Sequence, residues 1–483
     1  MKNVCQICKE NDRIVIYGAG ATANVFYLYL KKEGLADKVE CFVVTKMLNN
    51  SRTKYGKSVK ELEQIAEKGT CIIIATQKIN HAAIENNLLT QGYNNFHFAD
   101  EEELIQNFYK KLYEKPIQDN TILFMNLGGR GYGGNPKYIA EELRRRNKER
   151  NETDQVHLIW AVSELDEKNG IPDDVEQIEI GSEEYYDKVA TSKVWIDNVR
   201  KSGDIRKREG QIYIQVWHGA APIKKVEKDV ESKLPQFYIV NAKRDSQMAD
   251  LFISGSKFYT ELYRKSFWYN GEILKVGLPR QDVFWHMEQA RKKVFQYYNV
   301  DYTSNIVLYA PTFRNDYNNA AYDLDIGGMV DALKRRFGKD YICAVSKHPD
   351  NMNIRYNLVN DEKIIYVQDY PDFEELLAAA DILISDYSGC MYDFSFTGRP
   401  IFLYQKDIDL YKKDRDFYIS MEELPYIKSV SNQELQQKIL SFDNELYSRN
   451  LKEFMMSMDN YDDGNASEKV ADKIIEMIQE GKK

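Results

Sequence analysis

Histidine, arginine, hydroxyl and glycine positions recur along this chain just after short apolar runs, and such residues together suit a phosphate. His218 stands in WHGAAPIKK, directly after the apolar run 212–217. The glycine and proline behind it force a turn, so the imidazole is held at a strand end, where it can act as a general base near neutral pH. Thr312 and Arg314 follow the run 306–309 in YAPTFRND, and His348 follows 341–345 in SKHPD. Ser388, Gly389 and Asp393 follow 382–385 in SDYSGCMYD. There a core strand enters a helix, and a helix start offers unpaired N–H groups and a positive dipole end to an anion. Asp393 lies five residues after Ser388, over the same turn, and can accept from a ribose or a base. Each site also has a structural reading, as a turn-capping histidine or an N-capped helix. Four such sites at four strand ends are hard to attribute to turn chemistry alone. An imidazole, a guanidinium and hydroxyls form an anion clamp suited to a moving phosphoryl group.

The elements that must position these groups read as α/β. Short apolar runs alternate with longer helical stretches, which implies parallel sheets. A first series of strands lies within residues 1–115, a second within 116–280 and a third within 281–483, which ends in a helical tail from about Asn432 that is expected to pack across the domains. Residues 114–120, EKPIQDN, read as a linker. The expected architecture is a GT-B-like pair of Rossmann-like domains preceded by a small Rossmann-like domain. Ligands of open α/β sheets bind beyond the carboxyl ends of the strands, so a cleft between the last two units is the place for chemistry. Arg280, in GLPRQD, falls at the hinge between them and can reach into that cleft. The glycine-rich turn in NLGGRGYGGNPKYIAEEL (126–143) can let an acceptor or a phosphate approach the backbone.

Composition narrows the class. The 483 residues allow about three domains. A formal net charge of -9 argues against a dedicated nucleic-acid binder. No apolar run approaches the ~20 residues of a membrane span, and the N-terminus lacks a signal-peptide centre, so a cytoplasmic protein is expected. Six cysteines do not make a disulfide framework, and Cys5 with Cys8 is a lone CxxC without further ligands. No acidic cluster demands a metal, so none is expected. Between Lys193 and Lys225 eight basic residues face three acidic ones. That excess reads either as an ordinary solvated surface or as a face for anionic lipid or a polyphosphate acceptor.

WHG, PR-x-D, APTFR, KHP and SDYS-x5-DF occur in that order, and with them the chain resembles the CDP-glycerol glycerophosphotransferase family over roughly residues 126–426. The segment 406–418, KDIDLYKKDRDFY, is also similar to that family's aspartate-rich stretch. The resemblance implies transfer of glycerol phosphate or ribitol phosphate from a CDP-alditol to an acceptor hydroxyl, with CMP leaving. It implies a polymer or lipid-linked acceptor, as in teichoic acid and capsule synthesis, and peripheral association with the inner membrane face. By position it implies His218 as the base. His348, Arg280, Thr312, Ser388, Gly389 and Asp393 take positions that bind the CDP-alcohol, and His348 is counted with His218 as catalytic. Arg314 joins them on chemical grounds. Two departures bear on the donor: Ala220-Ala221-Pro222 replaces a shorter Thr-Pro, and Gly389 stands where a second serine is common.

In the first unit Gly18, Gly20 and Ala23 fit G-x-G-x-x-A after a strand. After the second strand, at Val43-Val44-Thr45, the acidic residue for a ribose is missing. A degenerate or accessory module is expected, NAD is not expected between Gly18 and Ala23, and no cofactor is required. Rival functions are a GT-B glycosyltransferase using a nucleotide-sugar, an NAD-dependent sugar-modifying enzyme, and a non-catalytic binding protein. Oligomeric state is left open.

Overall fold

The computed structural model describes residues 4–480 apart from 48–49, 66–68, 167–168, 220–222, 313–322, 347–362 and 415. Its strands form three sheets. The first runs in space Thr53–Lys54, Lys57–Glu61, Val39–Val44, Ile14–Tyr17, Cys71–Ile74, Phe96–Phe98. The second runs Glu272–Lys275, Leu251–Ser254, Ile212–Gln215, Ser192–Asp197, Gln118–Met125, His157–Val162, Glu176–Glu179. The third runs Ile364–Tyr366, Tyr341–Val345, Asn305–Tyr309, Ile382–Ser385, Ile401–Tyr404, Ile427–Ser429. Every pairing in the second and third sheets is parallel. In the first, only Thr53–Lys54 is antiparallel. Parallel strands are covered on both faces, which is why CIII, IYIQ, LFIS and ILIS read as nearly unbroken apolar runs. The fold is the expected α/β arrangement, a GT-B-like pair behind a small Rossmann-like unit.

Two details differ from the sequence expectation and a third agrees with it. The strand of the supposed linker begins at Gln118, so residues 118–120 already belong to the second sheet. The strands Glu176–Glu179, Lys57–Glu61 and Ile427–Ser429 carry too few apolar residues to announce themselves. The helical tail packs across the domains, as the sequence suggests. Tyr447 and Leu451 pack in the third unit, but the last helix, Ala466–Glu480, returns to the second sheet. Its Val470, Ala471, Ile474 and Ile478 join one core with Ile122, Ile196 and Ile214. Asp282 caps that returning helix, accepting from the N–H of Ala466 at 3.0 Å and of Ser467 at 2.7 Å. The aspartate of PR-x-D thus anchors the chain's crossing back.

The basic stretch 193–225 turns inward. Arg200 is buried between Glu227 and Asp245, and Lys201 against Asp197. Arg206 reaches Glu102 of the first unit and Lys207 reaches Asp250. Neither a solvated basic surface nor a lipid-facing patch describes these four residues, because internal carboxylates neutralise them. The six cysteines are unbridged and buried. Among the described residues no helix is long and apolar enough to cross a membrane, and no group of three or more His, Cys, Asp or Glu is placed to hold a metal ion.

Candidate active site

His218 is set by backbone strain and by asparagines. The strand Ile212–Gln215 ends three residues before it, and Trp217 between them has φ 42°. A non-glycine residue there costs of order 1–3 kcal/mol and persists only where surroundings impose it. Here the Trp217 ring meets Phe267 edge-on, the Arg200 guanidinium lies over it, and the backbone N–H of Trp217 donates to Gln215 Oε1 at 2.9 Å. Asn135 holds the same turn from the helix Gly134–Asn147, its amide donating to the carbonyls of Val216 and Trp217, each at 2.8 Å.

The imidazole itself leans on Asn198, with Nδ1 2.9 Å from that carbonyl oxygen. A carbonyl only accepts, so Nδ1 carries the proton and the lone pair of the neutral ring lies on Nε2. Asn198 is fixed in turn: its amide donates to Asn126 Oδ1 at 2.7 Å, and its Oδ1 accepts from the N–H of Leu127 at 2.7 Å. Gly134 permits this approach; a Cβ there, at φ +59°, would stand 3.1 Å from both asparagine side chains. The glycine-rich turn 126–134 therefore serves the His218 support. His218 keeps an exposed face, yet protein atoms crowd its other sides. That desolvation first, and the neighbouring Arg280 charge as well, lower its pKa below the ordinary 6.5 against the pull of the Asn198 bond. The ring is thus a neutral acceptor at physiological pH.

Arg280 ties this turn to the third unit. One amino group donates to the carbonyl of His218. The other donates to both oxygens of Asp393, at 3.1 and 3.0 Å. Gln281 donates to Asp393 Oδ1 at 2.8 Å, and the Arg280 N–H is received by Asn135 Oδ1 at 3.1 Å. Arg280 and Asp393 are both buried. The two meet each other and brace the units. A second brace lies beside them, where Lys137 and Tyr138 of the helix Gly134–Asn147 contact Asp372 Oδ2. Glu374 lies 3.7 Å from Arg280 Nε. Burial first, and the nearby Asp372 charge, push its carboxyl up to about 8 despite Arg280.

On the third unit the strand-end loops are joined by Asp386. Thr312 donates to it through its N–H at 2.9 Å and its hydroxyl at 2.6 Å, and the Tyr387 N–H donates at 2.6 Å. Ser385 Oγ donates across to the Ala310 carbonyl at 2.7 Å. Ser388 and Gly389 open the short helix Cys390–Ser395 that carries Asp393, one turn on. His218, Arg280 and Asp393 are therefore one contact chain, and Ser388 and Gly389 sit at its end; Thr312 joins through the adjacent loop. His348 and Arg314 lie outside the described residues. A third inter-unit contact follows His218: the Tyr418 N–H donates to the Ile223 carbonyl at 2.8 Å and Lys224 bridges Phe417.

Sequence reasoning passed over Asn198, Asn135, Gln281, Glu374 and Asp386. Asp386 lies inside SDYS, two residues before Ser388. The others carry no local signal, because their partners are up to 145 residues away.

The fold is a GT-B-like pair of units in which the turn carrying His218 is tied through Arg280 to Asp393, on the helix that follows Ser388. The family described as CDP-glycerol:poly(glycerophosphate) glycerophosphotransferase matches residues 107–476, and the chain belongs to that family. It is 30% identical over 383 residues to the teichoic acid poly(glycerol phosphate) polymerase of Staphylococcus epidermidis, covering 76% of this chain and 52% of that protein. It therefore spans about half the length of that relative. The polymerase of the same description from Bacillus spizizenii is 28% identical over 375 residues, covering 74% of this chain and 93% of that protein. Among solved structures, the wall teichoic acid polymerase TagF, a histidine-to-asparagine variant soaked with CDPG, superposes with a TM-score of 0.68 at 27% identity. That match covers 84% of this chain and 100% of the other.

Proposed function

We propose that this chain transfers an alditol phosphate, glycerol phosphate by preference over ribitol phosphate, from a CDP-alditol to an acceptor hydroxyl, releasing CMP. The acceptor is a cell-surface polymer or its lipid-linked precursor, met at the cytoplasmic face of the membrane by peripheral association. No added cofactor takes part. Membership of the family supports the reaction class. The observation that carries the mechanism is the Nδ1 contact of His218 with the Asn198 carbonyl, which turns Nε2 outward as the proton acceptor.

In the proposed step His218 Nε2 removes the acceptor hydroxyl proton. The oxygen attacks the phosphorus that bears the alditol, in line with the bridging oxygen. A new P–O bond forms as the pyrophosphate P–O bond breaks, and CMP departs with the electron pair. Ser388 and the Gly389 backbone hold the donor's phosphates, and Thr312 keeps its loop beside them through Asp386. His348 and Arg314 are assigned to the same phosphates and to the leaving group. Arg280 and Asp393 act as positioning residues that fix the His218 turn against the donor side. The acceleration asked of preorganised donors and a general base, each typically 10²–10⁴-fold, is of the usual order.

The test is CMP release from CDP-glycerol and CDP-ribitol beside UDP- and GDP-sugars, with a glycerol-phosphate primer as acceptor. CMP release from CDP-glycerol is expected. Turnover of a nucleotide-sugar with no CMP from either CDP-alditol would replace this proposal by a glycosyltransferase.

A further inference from the structure

The Arg200 guanidinium, with 5% of its side chain exposed, stands where three strained segments meet. Trp217, Glu227 and Trp268 are non-glycine residues in left-handed backbone, at φ 42°, 55° and 51°. Arg200 engages all three segments. It lies over the Trp217 ring, 5.6 Å from the centroid. One amino group donates to Glu227 Oε2 at 3.0 Å and, at 3.4 Å, to the carbonyl of Phe267, directly before Trp268. The other donates to Asp245 Oδ2 at 3.0 Å and to Ser246 Oγ at 2.7 Å, which ties the fork to the helix Gln236–Met248. Backbone of this kind persists only where surroundings impose it, and it gathers at functional sites. A buried ion cluster is by itself weak evidence of a stabilising role.

What this clamp bears on is His218. The imidazole rests beside the Trp217 indole, with ring centroids 4.5 Å apart. Asn198, whose carbonyl meets Nδ1, lies two residues before Arg200 on the same loop. That loop is tied down at each residue between and after them. The Val199 N–H donates to Asp197 Oδ1 at 3.1 Å, and its carbonyl accepts from Gln215 at 2.9 Å. The Lys201 N–H donates to Asp245 Oδ1 at 3.0 Å. One loop therefore grips the base twice, at its nitrogen through Asn198 and at its supporting ring through Arg200. Lysine is no substitute for this arginine. An ammonium is a point charge without the planar fork, so it cannot meet both carboxylates and cover the indole together.

We propose that Arg200 is a positioning residue for the transfer reaction, which orients His218 Nε2 through Trp217 and does not itself touch substrate. The proposal rests on the reading of His218 as the base.

Arg200→Lys in the full chain tests this. The kcat for CMP release from CDP-glycerol should fall at least about tenfold, while the donor's Kd by calorimetry stays within about threefold. Nitrogen-15 spectra of the histidine rings, six in all, give a readout that a merely structural role would not move, and the His218→Ala spectrum assigns the signal. At about pH 8 the ring is neutral, and parent His218 should show a protonated Nδ1 and an unprotonated Nε2. In Arg200→Lys the two signals should move toward each other, because the ring then samples both tautomers. Should that variant melt below the assay temperature, Phe267→Leu decides, since it removes the ring that meets Trp217 edge-on and leaves every ion pair of Arg200 in place. Its kcat should fall at least about threefold, with the same averaging of the ring signals. Unchanged kcat in a folded variant, an unchanged tautomer, or donor affinity lost in step with turnover would each overturn the assignment. If the parent releases no CMP at all, the ring spectra still decide on Arg200, and only the reading of the reaction fails.

Discussion

His218 follows a tryptophan held at φ 42°, whereas Gly389 enters its helix through relaxed right-handed backbone at φ −61°. The second unit places one ring by strain, with two asparagines and an aromatic cage to hold it. The third unit presents a turn whose donors are main-chain groups, and it needs only Asp386 to keep two loops in register. A base must meet one proton at one angle, so it demands a fixed orientation. An anion seat made of N–H groups and hydroxyls tolerates small shifts, because several donors share the charge. The difference teaches that substitutions on the two sides should fail in different ways, by turnover on the His218 side and by donor affinity on the Ser388 side.

The largest effect is expected at the base. His218→Ala should lower kcat by roughly 10²-fold or more while the donor's Kd, measured by calorimetry, stays within about threefold. In the parent protein the acid limb of kcat/KM should lie below pH 6.5, since desolvation and Arg280 lower the imidazole pKa. Activity needs the neutral ring, so it is present above that pKa and lost beneath it. An acid limb above pH 7, or full turnover in the alanine variant, would remove His218 from the role.

The brace between the units comes next. Arg280→Met leaves Asp393 buried beside Gln281 alone and should destabilise the protein by about 3–5 kcal/mol. The Asp393→Leu change strands the arginine in the same way. The double variant should recover much of the loss in denaturant titrations, because no unpaired charge remains. Turnover should stay depressed in the Arg280→Met and double variants, since the carbonyl of His218 has lost its donor in both. Additive destabilisation in the double variant would mean that the two residues do not act as a pair.

How much of this was visible beforehand follows from the range of each interaction. The strands ILIS and LFIS and the glycine turns were legible because burial and backbone shape are written into adjacent residues. His218, Thr312, Ser388 and Gly389 were legible for a related reason, as polar residues following apolar runs. The mutual engagement of Arg280 and Asp393 was not, because 113 residues separate them. Each looks locally like a ligand-facing group. That the tail crosses between domains was expected, but the second sheet as the landing place of the last helix was hidden, since an amphipathic helix states which face it buries and not against what. The basic stretch misled for the opposite reason: its charges are adjacent in sequence, while the carboxylates that neutralise Arg200 come from Glu227 and Asp245.

A smaller effect is expected beside the brace, at Glu374. Its carboxyl is pushed up to about 8, first by burial. A folded-state pKa raised above the unfolded value makes stability present at low pH and lost as pH rises through the folded pKa. The window therefore runs from about 4.5 to about 8. Glu374→Gln keeps the shape and removes the ionisation, so its melting temperature should exceed the parent's by roughly 2 °C or more at pH 8.5. At pH 4.5 the two should coincide. A pH-independent difference would show that the carboxyl does not titrate in that window.

The smallest effect sharpens the contrast between a strained side and a relaxed one. Gly389 stands where a serine is common in the family, yet its φ is negative and a Cβ there would meet nothing within 4 Å. Neither backbone shape nor packing requires glycine. If the Ser388 turn holds phosphate through main-chain N–H groups, Gly389→Ala should leave the melting temperature unchanged and the KM for the donor within about twofold. Gly389→Ser, which adds a hydroxyl at a helix start without displacing any neighbour, should lower that KM by no more than about threefold, the worth of one exposed hydrogen bond. A tenfold loss in the alanine variant would mean that the empty space at Gly389 is itself occupied by the donor. The third unit would then depend on shape as closely as the second does at Trp217, and the contrast between them would fall.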